Sequence, residues 1–330
     1  MTAAHAVLPS DEGRHPPDPE DLWNESYYFD FVAPDRSLGG WLRLGLYPNR
    51  GVAWWTAWIV RPGRPGLCSV DYHAPVPPGD SLATTTAHDG TRIAMEVRHP
   101  LEEFHLVADT AGLLVEPDRL GYDETGWTPS RLGVDLTWTT DGVPYHYELT
   151  TRYEIPCTVA GTVSLGDEVV HIDGQGQRDH SWGVRDWWAF GWCWCSMRLD
   201  DGTRIHLSDI RIPGMPVFFG YIQTPHEPST PGARPVTALS VQETLGDHGF
   251  PTKAHIHVAA APDDDLHLDV EPLAFGPVLL RDDESGKTSR FPRAMVGCRT
   301  DSDTTRPDGH RVGSASTSHG RLTASRTTTS

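Results

Sequence analysis

Ionisable and aromatic side chains are concentrated in one stretch near the middle of the chain, residues 174–188, which reads GQGQRDHSWGVRDWW. It contains two Arg-Asp pairs, one His and three Trp. Trp favours burial, whereas carboxylates and guanidinium groups resist burial unless they are paired. Such a mixture is typical of a pocket with aromatic walls and a few fixed polar groups. The alternative is a set of buried Arg-Asp clamps that hold a loop against a sheet.

General acid–base chemistry is the reaction type that this stretch favours. A histidine such as His180 can transfer protons near neutral pH. Asp179 and Asp186 could each be a buried acid or a partner that orients the imidazole. Arg178 and Arg185 could hold these carboxylates by bidentate hydrogen bonds. The combination suits protonation of a carbon–carbon double bond, followed by water capture, cyclisation or proton loss.

Five tryptophans in and after the motif could line an apolar cavity and stabilise a cationic intermediate through their ring faces. They are Trp182, Trp187, Trp188, Trp192 and Trp194. The plain alternative is that these rings pack in a core.

Other chemistries lack their sequence patterns. Ser181 directly follows His180, so the two side chains would point to opposite faces of a strand, and no Gly-x-Ser-x-Gly elbow occurs. The two glycines at 174 and 176 lack the third glycine of a dinucleotide-binding fingerprint.

His255-x-His257, with His267 further on, has no clear third metal ligand at a known spacing and also suits a solvated hairpin. We therefore expect neither a metal nor a cofactor.

Chain length, net charge, apolar runs and cysteine count limit the class of protein. The 330 residues suffice for two domains or for one large β unit. The formal charge of −18 argues against a nucleic-acid surface and against docking on anionic lipid. The chain has neither an apolar run of membrane-spanning length nor a signal-peptide pattern, so we expect a cytoplasmic protein without an integral membrane segment. Five cysteines, an odd number, are expected to be reduced thiols.

Alternating strand patterns separated by turns account for most of the chain. Residues 41–47 and 52–60 predict a hairpin. Asp-Gly, a strong hairpin signal, recurs at Asp89, Asp141 and Asp201. The 32 Gly and 28 Pro residues interrupt any long helical period. These patterns predict an all-β protein whose antiparallel hairpins close into barrels or sandwiches.

Composition divides the chain into four segments. Residues 1–21 are polar and Pro-rich and predict a disordered lead. Residues 22–165 predict an N-terminal β domain, and residues 166–299 a second β domain that carries the central motif. Residues 300–330 are dominated by Ser, Thr, Arg and Gly, which predicts a disordered tail.

The central motif resembles a known superfamily. The run HSWGVRDW at 180–187 is similar to the signature of carotenoid 1,2-hydratase (hydroxyneurosporene synthase) and the AttH-like proteins. The pattern Y-x-I-P-C at 153–157 and the pattern Y-x-D at 28–30 are reminiscent of the uncharacterised branch of that superfamily.

This resemblance implies two consecutive lipocalin-like antiparallel β-barrels and hydrophobic, often isoprenoid, substrates. It implies catalytic positions at His180, Arg185 and Asp186, with Asp186 as the acid and His180 as its partner. Such proteins end in a Gly- and aromatic-rich strand that closes the second barrel. The tail after Thr300 has nothing comparable, so either the closing strand is lost or the tail is an altered C-terminus. In both cases we expect an open edge in that barrel.

These observations lead to one preferred function and two alternatives. The preferred function is that of a cofactor-free acid–base enzyme on a terpenoid or lipid-like substrate, a hydratase, cyclase or isomerase. The first alternative is a non-catalytic, lipocalin-like carrier of an apolar small molecule. The second is a structural or carbohydrate-binding β domain, favoured if Trp54, Trp55 and Trp58 lie exposed on a flat sheet. Catalysis is favoured if His180 and Asp186 point into a cavity without bonds to backbone groups. The carrier is favoured if Arg185 and Asp186 only clamp a loop outside the cavity.

Overall fold

The computed structural model describes residues 6–87, 89–225, 232–246, 249–262, 264–281 and 286–300, and the backbone of 313–322. Antiparallel strands make up most of this part of the chain and confirm the all-β prediction. The helical elements within it are three short 3-10 helices, Pro9–Glu12, Pro48–Arg50 and Pro117–Arg119. None of the helices in these ranges has the length and apolar character needed to cross a membrane.

The strands fall into two sets. The first set is β1 Trp23–Val32, β2 Gly39–Tyr47, β3 Val52–Val60, β4 Gly66–Pro75, β5 Ala83–Thr85, β6 Arg92–His99, β7 Glu103–Val115, β8 Thr128–Thr140, β9 Tyr145–His146, β10 Arg152–Leu165 and β11 Glu168–Val184. The second set is β12 Gly191–Arg198, β13 Arg204–Ile212, β14 Met215–Gln223, β15 Arg234–Leu245, β16 Pro251–Ala260, β17 Asp264–Phe275, β18 Val278–Arg281, β19 Thr288–Phe291, β20 Ala294–Thr300 and β21 Gly313–Leu322.

The first unit comprises residues 1–119 and 125–185. Its strands follow the order β4-β3-β2-β1-β11-β10-β8-β7, and pairing of β4 with β7 returns the sheet to its start. Closure removes the exposed edges that an open sheet would leave, as in an up-and-down barrel. The predicted hairpin of β2 and β3 is present, with Gly39 paired to Val60 and Tyr47 to Val52.

The second unit comprises residues 120–124 and 186–330. Its strands follow the order β12-β13-β14-β15-β16-β17-β20-β21, and pairing of β12 with β21 closes the ring. The Asp201-Gly202 signal marks the β12–β13 hairpin, as predicted. The Asp141-Gly142 signal does not mark a hairpin of the flanking strands, because β8 and β9 both pair with β10.

Three expectations, on the boundary between the domains, the tail and the open edge of the second barrel, differ from the structure. The first unit extends to residue 185, so β11 and most of the central motif belong to the first barrel and not to the second. Residues 313–322, expected to be disordered, form β21 between β12 and β20. Strand closure depends on backbone hydrogen bonds to both neighbours, which a Ser- and Thr-rich sequence supplies as well as an apolar one. The second barrel therefore has its closing strand; the rest of the 300–330 tail lies outside the described residues.

The lead also differs from its prediction. Residues 9–12 form a 3-10 helix in which Glu12 is 1% exposed. Glu12 accepts an ion-pair hydrogen bond from Arg178 on β11, with Nη1–Oε1 at 2.7 Å. Because a buried ion pair needs its partner in place, this contact fixes the lead against the barrel. Composition alone carries no signal for such a pairing.

The interior of the first barrel is filled by alternate residues of its strands. Large aromatic side chains on this inner face include Phe29, Trp55, Phe104 and Trp138, all nearly fully buried. Strand β1 is buried along both faces, so its outer face, which carries Asn24, Ser26, Tyr28 and Asp30, is covered as well. The tryptophans at 54, 55 and 58 are buried, which removes the observation that would have favoured a carbohydrate-binding sheet.

Candidate functional site

Polar side chains cluster on both faces of the first barrel where β1, β10 and β11 lie side by side. Even-numbered residues of β11 face the barrel interior and odd-numbered residues face outward, so His180 and Asp179 lie on opposite sides of the sheet. In register, His180 pairs with Tyr27 on β1 and with Tyr153 on β10. The motif therefore contributes to two separate clusters.

The inner cluster is built around His180, which is 1% exposed. Its Nδ1 lies 2.7 Å from the backbone oxygen of Asp11, and its Nε2 lies 3.2 Å from Oε1 of Glu25. Tyr27 stacks on the imidazole at a centroid distance of 4.1 Å. This histidine is thus held by a backbone carbonyl, a carboxylate and an aromatic ring.

His15 of the N-terminal segment completes the inner cluster. Its backbone N–H and its Nδ1 each lie 2.8 Å from Oε1 of Glu25, and its ring stacks on Trp182 at 3.7 Å. Burial alone would raise the pKa of Glu25, but the hydrogen bonds from His15 and His180 outweigh burial and leave the pKa below its usual value. The ligand-type atoms of His15, Glu25 and His180 all lie within 4.8 Å of one another, so these three residues could hold a metal ion.

The outer cluster consists of Arg152, Glu154, Gln177 and Asp179. Nη2 of Arg152 lies 2.6 Å from Oε1 of Glu154 and 2.7 Å from Oδ2 of Asp179. Gln177 donates a hydrogen bond from its amide to the other oxygen of Glu154. The two carboxyl groups, which are register partners on β10 and β11, therefore share one guanidinium group.

Glu154 is a strongly perturbed carboxyl of this cluster. It is fully buried, and burial together with the nearby negative charge of Asp179 raises its pKa to about 8, against the opposing effect of Arg152. A carboxyl group with such a pKa holds its proton at neutral pH. Perturbed carboxyl pairs of this kind are characteristic of acid–base sites.

Aromatic side chains continue the outer face from β1 toward β4. Trp54 contacts Tyr47 at 4.1 Å and Tyr72 at 5.4 Å between ring centroids. Arg43 of β2 lies between this aromatic group and β1, donating a hydrogen bond from Nε to Ser26 at 2.8 Å. In register, Arg43 pairs with Tyr28, and Tyr28 pairs with Asp179. The aromatic group and the carboxyl pair thus lie along one band of the outer face.

The other two polar residues that the resemblance marked as catalytic are bonded to backbone or hydroxyl groups. Arg185 donates to Oγ1 of Thr150 at 2.8 Å and to the carbonyl of Val184 at 3.2 Å. Burial, with the charge of Arg152 nearby, lowers the pKa of Arg185 to about 10. Asp186, in the second unit, is exposed and accepts a hydrogen bond from the backbone N–H of Trp188 at 2.9 Å.

The five tryptophans are divided between the two units. Trp182 belongs to the first unit, where it stacks on His15. In the second unit, Trp187 and Trp192 both contact Phe291, while Trp194 meets His206 edge-on. Trp188 is buried. Cys193 and Cys195, which alternate with Trp192 and Trp194 on β12, belong to the core, so the two Trp rings face away from that core.

A small apolar cavity lies in the interior of the second barrel, lined by Cys193, Cys195, Ile256, Val270 and Val296 with four neighbours. It has room for about one water molecule. Small-molecule pockets commonly occupy roughly 300–1,000 Å³. This cavity is therefore too small for a lipocalin-type cargo.

A third group of titratable residues lies on the exposed face of β16 and β17. His257 pairs with His267 in register, and their rings stack at 4.6 Å. Nε2 of His257 lies 2.6 Å from Asp265, and Nδ1 of His255 lies 3.1 Å from Asp269. Cross-strand pairing thus supplies the third ligand-type residue that the sequence spacing did not reveal.

Sequence reasoning missed the residues that complete both clusters: Glu12, His15, Glu25, Arg152 and Glu154. A usable signal was present for two of them. Glu25 has the same strand parity as Phe29 and Phe31, and Glu154 lies between the apolar residues of the Y-x-I-P-C pattern. A carboxylate inside an otherwise apolar strand is costly unless it is paired, so it marks a site or a buried ion pair.

Comparisons with known proteins agree with this fold. The chain is similar to a Nitrosomonas europaea protein provisionally assigned to AttH, with a TM-score of 0.63 and 13% identity over 98% of this chain and 99% of that one. It is also similar to CghA, with a TM-score of 0.53 and 10% identity over 92% of this chain and 89% of that one. Kievitone hydratase from Nectria haematococca has a TM-score of 0.50 and 10% identity over 98% and 95% of the two chains.

At these identities the similarity shows a shared fold. No curated protein matches the sequence. A family model described as "Domain of unknown function (DUF7064)" matches residues 8–310, which is most of the chain. The protein therefore belongs to the DUF7064 family.

Proposed function

We propose that this protein is a hydratase-type acid–base enzyme that acts on a small apolar molecule, with Glu154 as its proton donor. The observation that carries the proposal is the buried Glu154–Asp179 pair on one guanidinium group, in which Glu154 has a pKa raised to about 8. A general acid works best when its pKa lies near the working pH, because it then holds a proton and can release it.

The reaction that suits this pair is addition of water to a carbon–carbon double bond. Glu154 transfers its proton to one alkene carbon, which leaves a positive charge on the other carbon. Water attacks that carbon and forms the new C–O bond. The surplus proton of the attacking water returns to the carboxyl pair, so the enzyme is regenerated and the net change is addition of H₂O.

The surroundings of the pair support a cationic intermediate. The carboxylate of Asp179, ion-paired with Arg152 at 2.7 Å, offers a fixed negative charge beside the proton donor. The faces of Tyr47, Trp54 and Tyr72 lie further along the same band and can stabilise positive charge. The apolar part of the substrate would lie against these rings, in place of the Trp182–Trp194 set. The side chain of Arg152 is 19% exposed, which gives the pair access to solvent.

His180 and Asp186 are both bonded to backbone groups, which by itself favours a carrier. Two other points support a hydratase. The run at 180–187 resembles the carotenoid 1,2-hydratase signature, and a protein with a similar fold bears the name kievitone hydratase. The first barrel interior is filled by aromatic side chains, which leaves the outer face, with its perturbed carboxyl pair, as the stronger place for ligand chemistry. His180, Arg185 and Asp186 form the alternative catalytic set, with Asp186 as acid.

The test uses isotope incorporation, because the substrate is identified only by class. Purified protein is incubated with an apolar extract of its own host in H₂¹⁸O, and new products are sought that carry one added molecule of labelled water. We expect such a product with the unaltered protein and a loss of about 10²-fold or more in its rate with Glu154→Gln. Glu168→Gln, which alters an exposed carboxylate on β11, serves as the matched control.

Two results would contradict the proposal. A labelled product formed at full rate by Glu154→Gln would remove Glu154 as the acid. An extract ligand that binds but is recovered without label would identify a carrier.

A further inference from the structure

We propose that His15, Glu25 and His180 form a binding site for a divalent transition-metal ion of the Zn²⁺ type, which fastens the N-terminal segment to the first barrel. The residues come from three places in the chain: the lead, β1 and β11. Two imidazoles and one carboxylate form a donor set that suits Zn²⁺, Co²⁺ or Fe²⁺ better than Mg²⁺ or Ca²⁺.

The separations between the donor atoms fit a single ion. Oε1 of Glu25 lies 2.8 Å from Nδ1 of His15 and 3.2 Å from Nε2 of His180. With metal–ligand distances near ~2.1 Å, the ligand atoms of a tetrahedral site lie about 3.4 Å apart. The two separations differ from that spacing by about 0.6 and 0.2 Å. The ligand-type atoms of all three residues lie within 4.8 Å of one another, so adjustment of these side chains would bring them to coordination distance.

The protonation pattern of His180 supports a cation between these groups. Nδ1 faces the backbone oxygen of Asp11 at 2.7 Å, and a carbonyl oxygen can only accept, so Nδ1 carries the hydrogen. In a neutral imidazole the lone pair is then on Nε2, which faces the carboxylate oxygen of Glu25. Two acceptors face each other, and either a metal ion or a second proton on His180 must lie between them.

The surroundings have the features of a metal site. Metal-bound histidines usually donate their other N–H to a carbonyl or carboxylate, as Nδ1 of His180 does to Asp11. Stacking on Tyr27 and on Trp182 fixes the two imidazole rings. Arg14 is 3.9 Å from the other oxygen, Oε2, so its charge neutralises the oxygen that the ion does not use.

The position of His15 defines what the ion would do. The side chain of His15 is 20% exposed, whereas those of Glu25 and His180 are nearly fully buried, so the ion enters from the side of the lead. Residues 9–15 also contact the barrel through the Glu12–Arg178 pair and through the backbone oxygens of Asp11 and Gly13, which accept from His180 and Tyr27. Arg14 donates to the backbone oxygen of Pro77 at 2.7 Å. An ion bound to His15 would add a further link between the lead and the barrel, with water as its fourth ligand.

The experiment titrates chelator-treated, untagged full-length protein with Co²⁺ and records the visible spectrum together with calorimetric stoichiometry. We expect one tightly bound equivalent with d–d bands of nitrogen and oxygen donors, without thiolate charge-transfer bands. His15→Ala should lose this equivalent and the accompanying rise in Tm. His257→Ala should retain both, because it alters only the exposed histidine cluster of the second unit.

The outcomes separate the alternatives without reference to turnover. Absence of tight Co²⁺ binding, or retention of the equivalent by His15→Ala, would overturn the proposal. So would its loss in His257→Ala. ¹⁵N NMR of the histidines in the unaltered protein gives a second measurement that needs no variant. Zn²⁺ should shift Nε2 of His180 to the position of a metal-bound nitrogen, whereas protons on both ring nitrogens in the presence of Zn²⁺ would contradict the site.

Discussion

Glu154 and Asp179 are register partners on β10 and β11, and both bind Nη2 of Arg152, at 2.6 and 2.7 Å. One guanidinium group thus lies between two carboxyl groups that are taken out of water. Like charges at this spacing cannot both ionise freely, so the pair favours a state with one proton. The proton held by this pair affects the pH dependence of folding stability as well as the proposed proton transfer.

The first prediction concerns stability against pH. The folded protein holds the Glu154 proton up to about pH 8, whereas an ordinary glutamate releases it near 4.5. Stability from this group is therefore fully present below pH 4.5 and is lost as pH rises toward 8. The loss is on the order of a few kcal/mol, since one pKa unit corresponds to about 1.4 kcal/mol.

Urea unfolding of the unaltered protein and of Glu154→Gln, measured at intervals from pH 5 to pH 8, checks this prediction. The glutamine variant should lose most of the downward slope, because it cannot ionise. Glu168→Gln should keep the slope of the unaltered protein. Equal slopes for the unaltered protein and Glu154→Gln would show that Glu154 titrates normally.

The second prediction concerns the lead. Glu12→Ala leaves the buried guanidinium of Arg178 without its carboxylate and should cost about 3–5 kcal/mol in the free energy of unfolding. Asp21→Ala, which breaks the more exposed pair with Arg50, should cost about 0–1 kcal/mol. Chemical denaturation measures both, and similar small costs for the two variants would mean that the lead is not fixed by this pair.

The third prediction concerns closure of the second barrel. A chain ending at residue 312 lacks β21 and leaves the edges of β12 and β20 without their partner. Exposed edges pair with other chains, so we expect self-association and loss of amide protection in β12. Light scattering and hydrogen exchange measure these effects. A chain ending at residue 322 keeps β21 and should behave as the full chain; monomeric behaviour of both would contradict the closure.

The fourth prediction separates the two assignments of the acid. Asp186 is exposed and bonded to the backbone of Trp188, so Asp186→Asn should change the rate of labelled-water addition by no more than about twofold. Glu154→Gln should lower it by about 10²-fold or more. The reverse order of the two effects would assign the acid to Asp186.

Local patterns in the sequence predicted the fold class well. Alternation and Asp-Gly turns depend on near neighbours, and they correctly gave the β2–β3 and β12–β13 hairpins. The closing strand β21 was missed because its composition is polar, although its pairing depends on backbone groups. Burial of β1 on both faces was also unexpected, since alternation normally describes a strand with one covered face.

The candidate site was predictable only in part. The central motif led to His180 and Asp179, but strand alternation assigns them to different faces and thus to different clusters. Two partners of motif residues lie far away in sequence: Glu25 is 155 residues from His180, and Glu12 is 166 from Arg178. Contacts over such separations are set by barrel register, which short-range spacing does not contain.

Whether Glu154 is protonated at neutral pH can be measured by isotope-edited infrared spectroscopy, which detects the proton without a substrate. In protein with ¹³C-labelled glutamate at neutral pH, we expect a C=O stretch of a protonated carboxyl that is absent from Glu154→Gln and present in Glu168→Gln. That band should fade as pH rises through about 8. A spectrum at neutral pH with only ionised glutamates would show that Glu154 is not protonated and cannot be the proton donor.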